Sequence, residues 1–185
     1  MAQPVVLILP GLNNSGPLHW QTAWEKEYGF IRVQQKDWDT PVCEDWINTL
    51  DAAILQYGPE KVVLVAHSLA CCTIAHWVQK FNRSVKAAFL VGPSDVEAPS
   101  YPPGTTGFAP MPLQPFSFPS VVIASSNDVY VTPARARFFA DSWQSRFIMI
   151  GQAGHINSDS NLGKWQAGID LLETIAPGVK AGARV

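Results

Sequence analysis

Five short stretches of the chain are apolar without interruption: Val5-Val6-Leu7-Ile8-Leu9, Val62-Val63-Leu64-Val65, Ala87-Ala88-Phe89-Leu90-Val91, Val121-Val122-Ile123 and Phe147-Ile148-Met149-Ile150. Continuous runs of this length, without polar alternation, are the pattern of strands covered on both faces. A weaker run, Phe30-Ile31-Arg32-Val33, suits an edge strand. Between the runs, apolar positions recur at helical spacing. Trp46, Ile47, Leu50, Ile54 and Tyr57 share one face, with Thr40 as the expected N-cap and Pro41 at the first helical position. Thr132-Pro133 repeats that start signal before Phe138, Phe139 and Trp143, and a last stripe from Leu162 to Ile175 is stopped by Pro177-Gly178. Strands and helices in alternation specify an α/β domain: a mostly parallel six-stranded sheet with helices on both faces, since parallel neighbours must be joined by a crossover. Ligands bind such sheets beyond the carboxyl ends of the strands. The residues that follow each run therefore carry the functional information.

The first run passes into Pro10-Gly11-Leu12-Asn13-Asn14-Ser15-Gly16. Its glycines are spaced as in the start of a phosphate loop, but Pro17-Leu18 stands where that loop needs Lys and Ser or Thr. With no charge to meet the phosphates, and no G-x-G-x-x-G elsewhere, nucleotide binding is not expected. The turn can instead bring backbone N–H groups close to a ligand. The Val62 run ends in Ala66-His67-Ser68-Leu69-Ala70 and enters a helix at once. A serine at a strand-to-helix corner presents its hydroxyl at the sheet edge and at a helix N-terminus, where free N–H groups favour developing negative charge.

Such a serine needs a base and an orienting acid. The fifth strand ends in Ala124-Ser125-Ser126-Asn127-Asp128 and the sixth in Gly151-Gln152-Ala153-Gly154-His155, both at the same edge as Ser68. Of the four histidines, His76 is mid-helix, His67 lies beside the serine as pocket lining, and His19 precedes Trp20 at a helix start, within reach of the site mouth. His155 alone follows a strand with a strand-end Asp available. The order Ser68, Asp128, His155 is that of the α/β-hydrolase triad.

Ser15-Gly16-Pro17-Leu18-His19-Trp20 with Trp24, the Ala66-His67-Ser68-Leu69 corner, Ser126-Asn127-Asp128-Val129-Tyr130-Val131 and Gly154-His155-Ile156-Asn157 together resemble the small α/β-hydrolases of the retinoblastoma-binding-protein-nine and YdeN type. The match runs from about Val5 to about Leu172. The corner reads A-H-S-L-A where the general pattern is G-x-S-x-G. The resemblance implies a compact single-domain serine hydrolase with strand order 2-1-3-4-5-6, with Ser68 as nucleophile, His155 as base and Asp128 as its partner. The activity expected is acyl transfer from a small uncharged ester-like substrate, a carboxyl ester or thioester, to water. Backbone N–H groups of Leu69 and Leu12 would hold the oxyanion, and His19, Trp20, His67, Phe108 and Phe116 would bind substrate. A rival reading keeps the fold without activity, as an interaction protein docking through Tyr101, Phe108, Phe116 and Phe118.

Composition narrows the choice. Charged residues make up 15% of the 185 positions, against about 25% in an ordinary soluble domain, which fits a large core and a neutral pocket. A net charge of −2 gives a polyanion no footing, so no nucleic-acid partner is expected. Three cysteines, Cys43, Cys71 and Cys72, form neither C-x-x-C nor a zinc spacing, so reduced thiols, no metal and no cofactor are expected. No run approaches the roughly 18 apolar residues of a membrane span, and Met1-Ala2-Gln3-Pro4 lacks a basic leader. A cytoplasmic protein without membrane partner is the expectation. No L-x-C-x-E segment occurs, so binding to retinoblastoma-type pockets is not expected. Eight prolines fall between Pro93 and Pro119, too many for a helix. The domain is thus read as residues 1–176, with 94–119 an extended strap in place of a cap and 177–185 a mobile tail; the strap's Phe108 and Phe116 either line or roof the mouth above Ser68 or belong to a structural crossover packed on the sheet.

Overall fold

The computed structural model describes residues 3–182. Six strands, β1 (Val5–Leu9), β2 (Ile31–Arg32), β3 (Val62–His67), β4 (Ala87–Val91), β5 (Ser120–Ala124) and β6 (Arg146–Met149), form one sheet in the order β2-β1-β3-β4-β5-β6. Every pairing is parallel, and the register sets Leu9 beside Ala66 and His67 beside Val91, so the strands end level with one another. The five helices are α1 (Trp20–Tyr28), α2 (Cys43–Tyr57), α3 (Leu69–Phe81), α4 (Pro133–Ser142) and α5 (Gln166–Ile175). None is long and apolar enough to cross a membrane, among the described residues.

The unbroken apolar runs are explained by two cores, one on each face. Successive side chains of a strand point to opposite sides. Leu64 and Ala66 of β3 and Leu90 of β4 therefore face α2, α3 and α4, where Trp46, Leu50, Ile74, Trp77, Phe139 and Trp143 close the layer. Val63 and Val65 of β3 and Phe89 of β4 face α1 and α5, against Trp20, Trp24, Ile169 and Leu172. Fully burying a side chain of this kind stabilises the fold by about 1.5–3 kcal/mol. Cys43, Cys71 and Cys72 are free thiols within the first core, and burial pushes the Cys43 thiol up to about 12.

Two local expectations are corrected. The helix expected to start at Thr40-Pro41 begins at Cys43, because the chain at Pro41 and Val42 is extended and bridges Thr106. The Cys43 N–H bonds Thr106 O at 2.8 Å, and the Thr106 N–H bonds Pro41 O at 2.9 Å. In the segment from Pro177, read above as a tail, Val179 is buried and the Glu173 carboxylate accepts the N–H groups of Gly178 (2.7 Å) and Lys180 (3.2 Å). Residues 183–185 of that expectation lie outside the described residues.

The second correction is that Phe108 and Phe116 do not roof the sheet edge. The strap after β4 has no helix or strand, and its aromatics turn inward. Phe108 packs edge-on against Trp46 and His76, and the His76 Nε2–H donates to Phe108 O at 2.8 Å. Phe116 stacks on Phe118 and on Trp143. A proline-rich segment has few N–H donors, so it is held by apolar side chains sunk into the core.

Candidate active site

Ser68 stands at the corner where β3 becomes α3, with φ 58° and ψ −125°. A side chain held there costs on the order of 1–3 kcal/mol and persists only where its surroundings enforce it. They do so on both sides: the Ser68 N–H bonds Val91 O of β4 at 2.9 Å, and the Ser68 carbonyl accepts the Cys71 N–H at 3.0 Å. Gly11, after β1, passes so close that a methyl group on it would lie 2.7 Å from Ser68 Cβ and 2.9 Å from His67 O. Gly11→Ala should therefore push the corner out of place, destabilising the protein by about 1–3 kcal/mol. A thermal melt unchanged from wild type would show that the two segments can separate freely.

The loop after β6 brings His155 to Ser68. Its Nε2 lies 2.8 Å from Ser68 Oγ, and its Nδ1 lies 2.9 Å from both Asp128 Oδ1 and Oδ2. A carboxylate only accepts, so Nδ1 carries the proton and Nε2 offers a lone pair to the serine O–H. The Asp128 side chain is fully buried, and its Oδ1 also takes the Tyr130 N–H at 2.9 Å. The two loops are tied together: Asn127 Oδ1 accepts the Gly154 N–H at 2.8 Å, and Ser125 Oγ accepts the Ala153 N–H at 2.9 Å. At the end of β4, Gly92 takes φ 55°, and a methyl group there would lie 3.4 Å from Asp128 Oδ2 and 3.5 Å from His155 Nδ1. Hydroxyl, imidazole and carboxylate in series is the arrangement general-base activation of a serine requires.

His19 and His67 line the same cavity, as does Leu12, whereas Trp20 lies behind it. The buried Trp20 packs on Trp24 and Trp165 and donates from Nε1 to Ile156 O at 2.8 Å, so it supports the His155 loop instead of touching a ligand. His67 donates from Nε2 to His155 O at 2.9 Å. His19 accepts the Gln21 N–H at Nδ1 (3.1 Å) and caps α1, leaving a buried Nε2 without a partner among the described residues. In the turn after β1, the Asn13 N–H goes to Trp38 O and the Asn14 N–H to Gly11 O. Those of Leu12 and Leu69 meet no acceptor among the described residues.

Burial, with the Arg32 cation and His155 adding to it, pushes His19 down to about 3, and burial next to two other imidazoles holds His67 well below the usual histidine range. Both rings are therefore neutral in the folded protein at pH values where the unfolded chain, at about 6.5, is protonated. The unfolded state binds more protons, so stability falls as pH drops below 6.5. The melting temperature should decline from pH 6.5 to 5, above the carboxylate range, and decline less in His67→Phe. Calorimetry across that window would reveal a flat profile if the rings titrated normally.

The cavity above Ser68 measures about 290 Å³ and is lined by Leu12, Asn13, Asn14, His19, His67, Ser94, Tyr101, Pro102, Tyr130, His155, Asn157 and Ser158. No Asp, Glu, Lys or Arg is among them. From the strap come Ser94, Tyr101 and Pro102, not Phe108 or Phe116. Ser94 and Gly92 belong to no motif legible in the sequence, and the glycine turn that holds Gly11 does not show its approach to Ser68; a small residue following a strand is the available signal. Among the described residues no cluster of three His, Cys, Asp or Glu side chains is placed to hold a metal ion.

The family model described as serine hydrolase matches residues 6–174. No curated protein matches the chain. Among solved structures, one described as YdeN-like from Pectobacterium atrosepticum is 26% identical, with 96% of this chain and 93% of that one covered and a TM-score of 0.82. The ydeN gene product of B. subtilis is 21% identical over 93% of this chain and 98% of that one, with a TM-score of 0.77. Carboxylesterase CesB (YbfK) of Bacillus subtilis shares the fold at 14% identity, covering 92% and 83%, with a TM-score of 0.64.

Proposed function

The chain belongs to the serine hydrolase family, and we propose that it transfers the acyl group of a small uncharged ester-like substrate to water through an acyl-enzyme on Ser68. The observation that carries this reading is the hydrogen-bonded series Ser68 Oγ, His155 Nε2 and Nδ1, Asp128 carboxylate. As Ser68 Oγ bonds the substrate carbonyl carbon, its proton passes to His155 Nε2, and Asp128 stabilises the imidazolium that results. The carbonyl electron pair moves onto oxygen, facing the free N–H groups of Leu69 and Leu12. One such donor is worth about 2.7–4 kcal/mol in the transition state. His155 then gives its proton to the departing alcohol or thiol. Water, giving a proton to the same imidazole, then bonds the acyl carbon; the bond to Ser68 Oγ breaks as His155 returns that proton to Oγ, and the acid leaves.

The uncharged lining of the cavity supports a neutral acyl group, a carboxyl ester or thioester, of modest size. In this reading residues 94–119 act as a fixed rim in place of a cap, contributing Ser94, Tyr101 and Pro102. The alternative, a fold retained only for docking, is less well supported: of the residues it names, Phe108, Phe116 and Phe118 are buried and Tyr101 is partly buried in the cavity wall. A fluorophosphonate probe tests the proposal: it should label the wild-type chain once, on the peptide containing Ser68. A folded protein that stays unlabelled would return the reading to a binding protein.

A further inference from the structure

Ser68 Oγ has a second hydrogen-bond partner. Ser94 Oγ lies 2.8 Å from it, and Ser94 is 1% exposed. The direction of this bond follows from the others. Nδ1–H of His155 donates a hydrogen bond to Asp128, so Nε2 of the neutral ring is an acceptor and takes the hydrogen bond of the single Ser68 O–H. Ser68 therefore has no proton left for Ser94, and the Ser94 hydroxyl must be the donor. The backbone around Ser94 is anchored on both sides, since the Cys72 thiol donates to Ser94 O at 3.4 Å and the next N–H, of Asp95, bonds Tyr130 O at 2.9 Å. Arg135 bonds the Asp95 carboxylate at 3.1 Å and holds the segment from outside.

We propose that Ser94 is a catalytic residue: its hydroxyl donates to Ser68 Oγ, fixing the rotamer from which the oxygen attacks and stabilising the negative charge that builds on it as its proton leaves. The proposal rests on Ser68 as nucleophile. In the step, the Ser68 O–H bond breaks and its proton goes to His155 Nε2, while the Oγ–carbon bond forms and the carbonyl π pair moves to oxygen. Ser94 gains and loses no proton. A hydrogen bond to a charged group is worth about 1.5–3 kcal/mol, so removing this one should slow acylation about 10–100-fold.

Fluorophosphonate labelling gives the acylation rate directly. In Ser94→Ala the second-order labelling rate at Ser68 should fall about 10–100-fold, and kcat for an acyl ester should fall with KM little altered. Ser94→Thr and Ser94→Val provide a pair of equal shape that differs in the hydroxyl alone. Thr should label at least tenfold faster than Val, even if both are slowed by the added methyl group. Labelling of Ser94→Ala at the wild-type rate overturns the proposal, as does a Val variant that equals Thr. Failure of the underlying reading looks different, because wild type itself would then remain unlabelled.

Discussion

Ser68→Ala should lower turnover of any acyl ester by a factor on the order of 10⁶ and abolish fluorophosphonate labelling, with the melting temperature close to that of wild type. The size of the loss comes from cooperation. With the oxygen gone, His155 has nothing to deprotonate and Asp128 nothing to stabilise, so three groups fall silent together. What persists is the contribution of Leu69, Leu12 and the cavity, roughly 10³–10⁴ over water. The fold should tolerate the change, because alanine keeps the Cβ that meets Gly11 and removes only the oxygen bonded to His155 and Ser94. Matched kinetics and melts of the two proteins decide the matter. A folded Ser68→Ala that retained a tenth of wild-type turnover would falsify the assignment of the nucleophile.

The second large effect is expected at Asp128. Asp128→Asn should lower kcat by a factor on the order of 10⁴. Both carboxylate oxygens lie 2.9 Å from His155 Nδ1. Whichever way the amide is turned, its NH₂ therefore faces the ring nitrogen at a donor's distance. The imidazole proton then moves to Nε2, which can no longer receive the proton of Ser68. The Tyr130 N–H still finds an acceptor if the amide oxygen occupies the Oδ1 position, so the loop should stay folded. Steady-state kinetics on the purified variant would expose the opposite result, a loss of tenfold or less, which would leave His155 without need of its acid.

The strands and the Ser68, Asp128, His155 series were legible because they depend on short-range signals. A continuous apolar run marks a buried strand, and the residue after it is at the sheet's carboxyl edge whatever else the chain does. The roles of Ser94 and Gly11 beside Ser68 are not legible, since each matters through an approach between separate segments: Ser94 is 26 residues from Ser68 in sequence. The side to which Phe108 and Phe116 turn is not legible for a related reason. Proline content shows that the strap is no helix, but not which side of it faces the core; Trp46 and Trp143 settle that. The Thr40-Pro41 start signal is sound locally, and it was overridden by pairing of Val42 with Thr106 from the strap.

The two ends of the acid–base series hang on unequal supports. Ser68 follows β3, a strand paired on both sides and buried along its whole length, whereas His155 follows β6, an edge strand paired only with β5 and exposed at Arg146 and Met149. Regions open locally with free energies set by their own burial and pairing, well below that of global unfolding. The hydrogen-bonded series of Ser68, His155 and Asp128 therefore has a lifetime of its own, shorter than that of the fold. Amide hydrogen exchange along β6, more than the melting temperature, measures how long the base and the serine stay together.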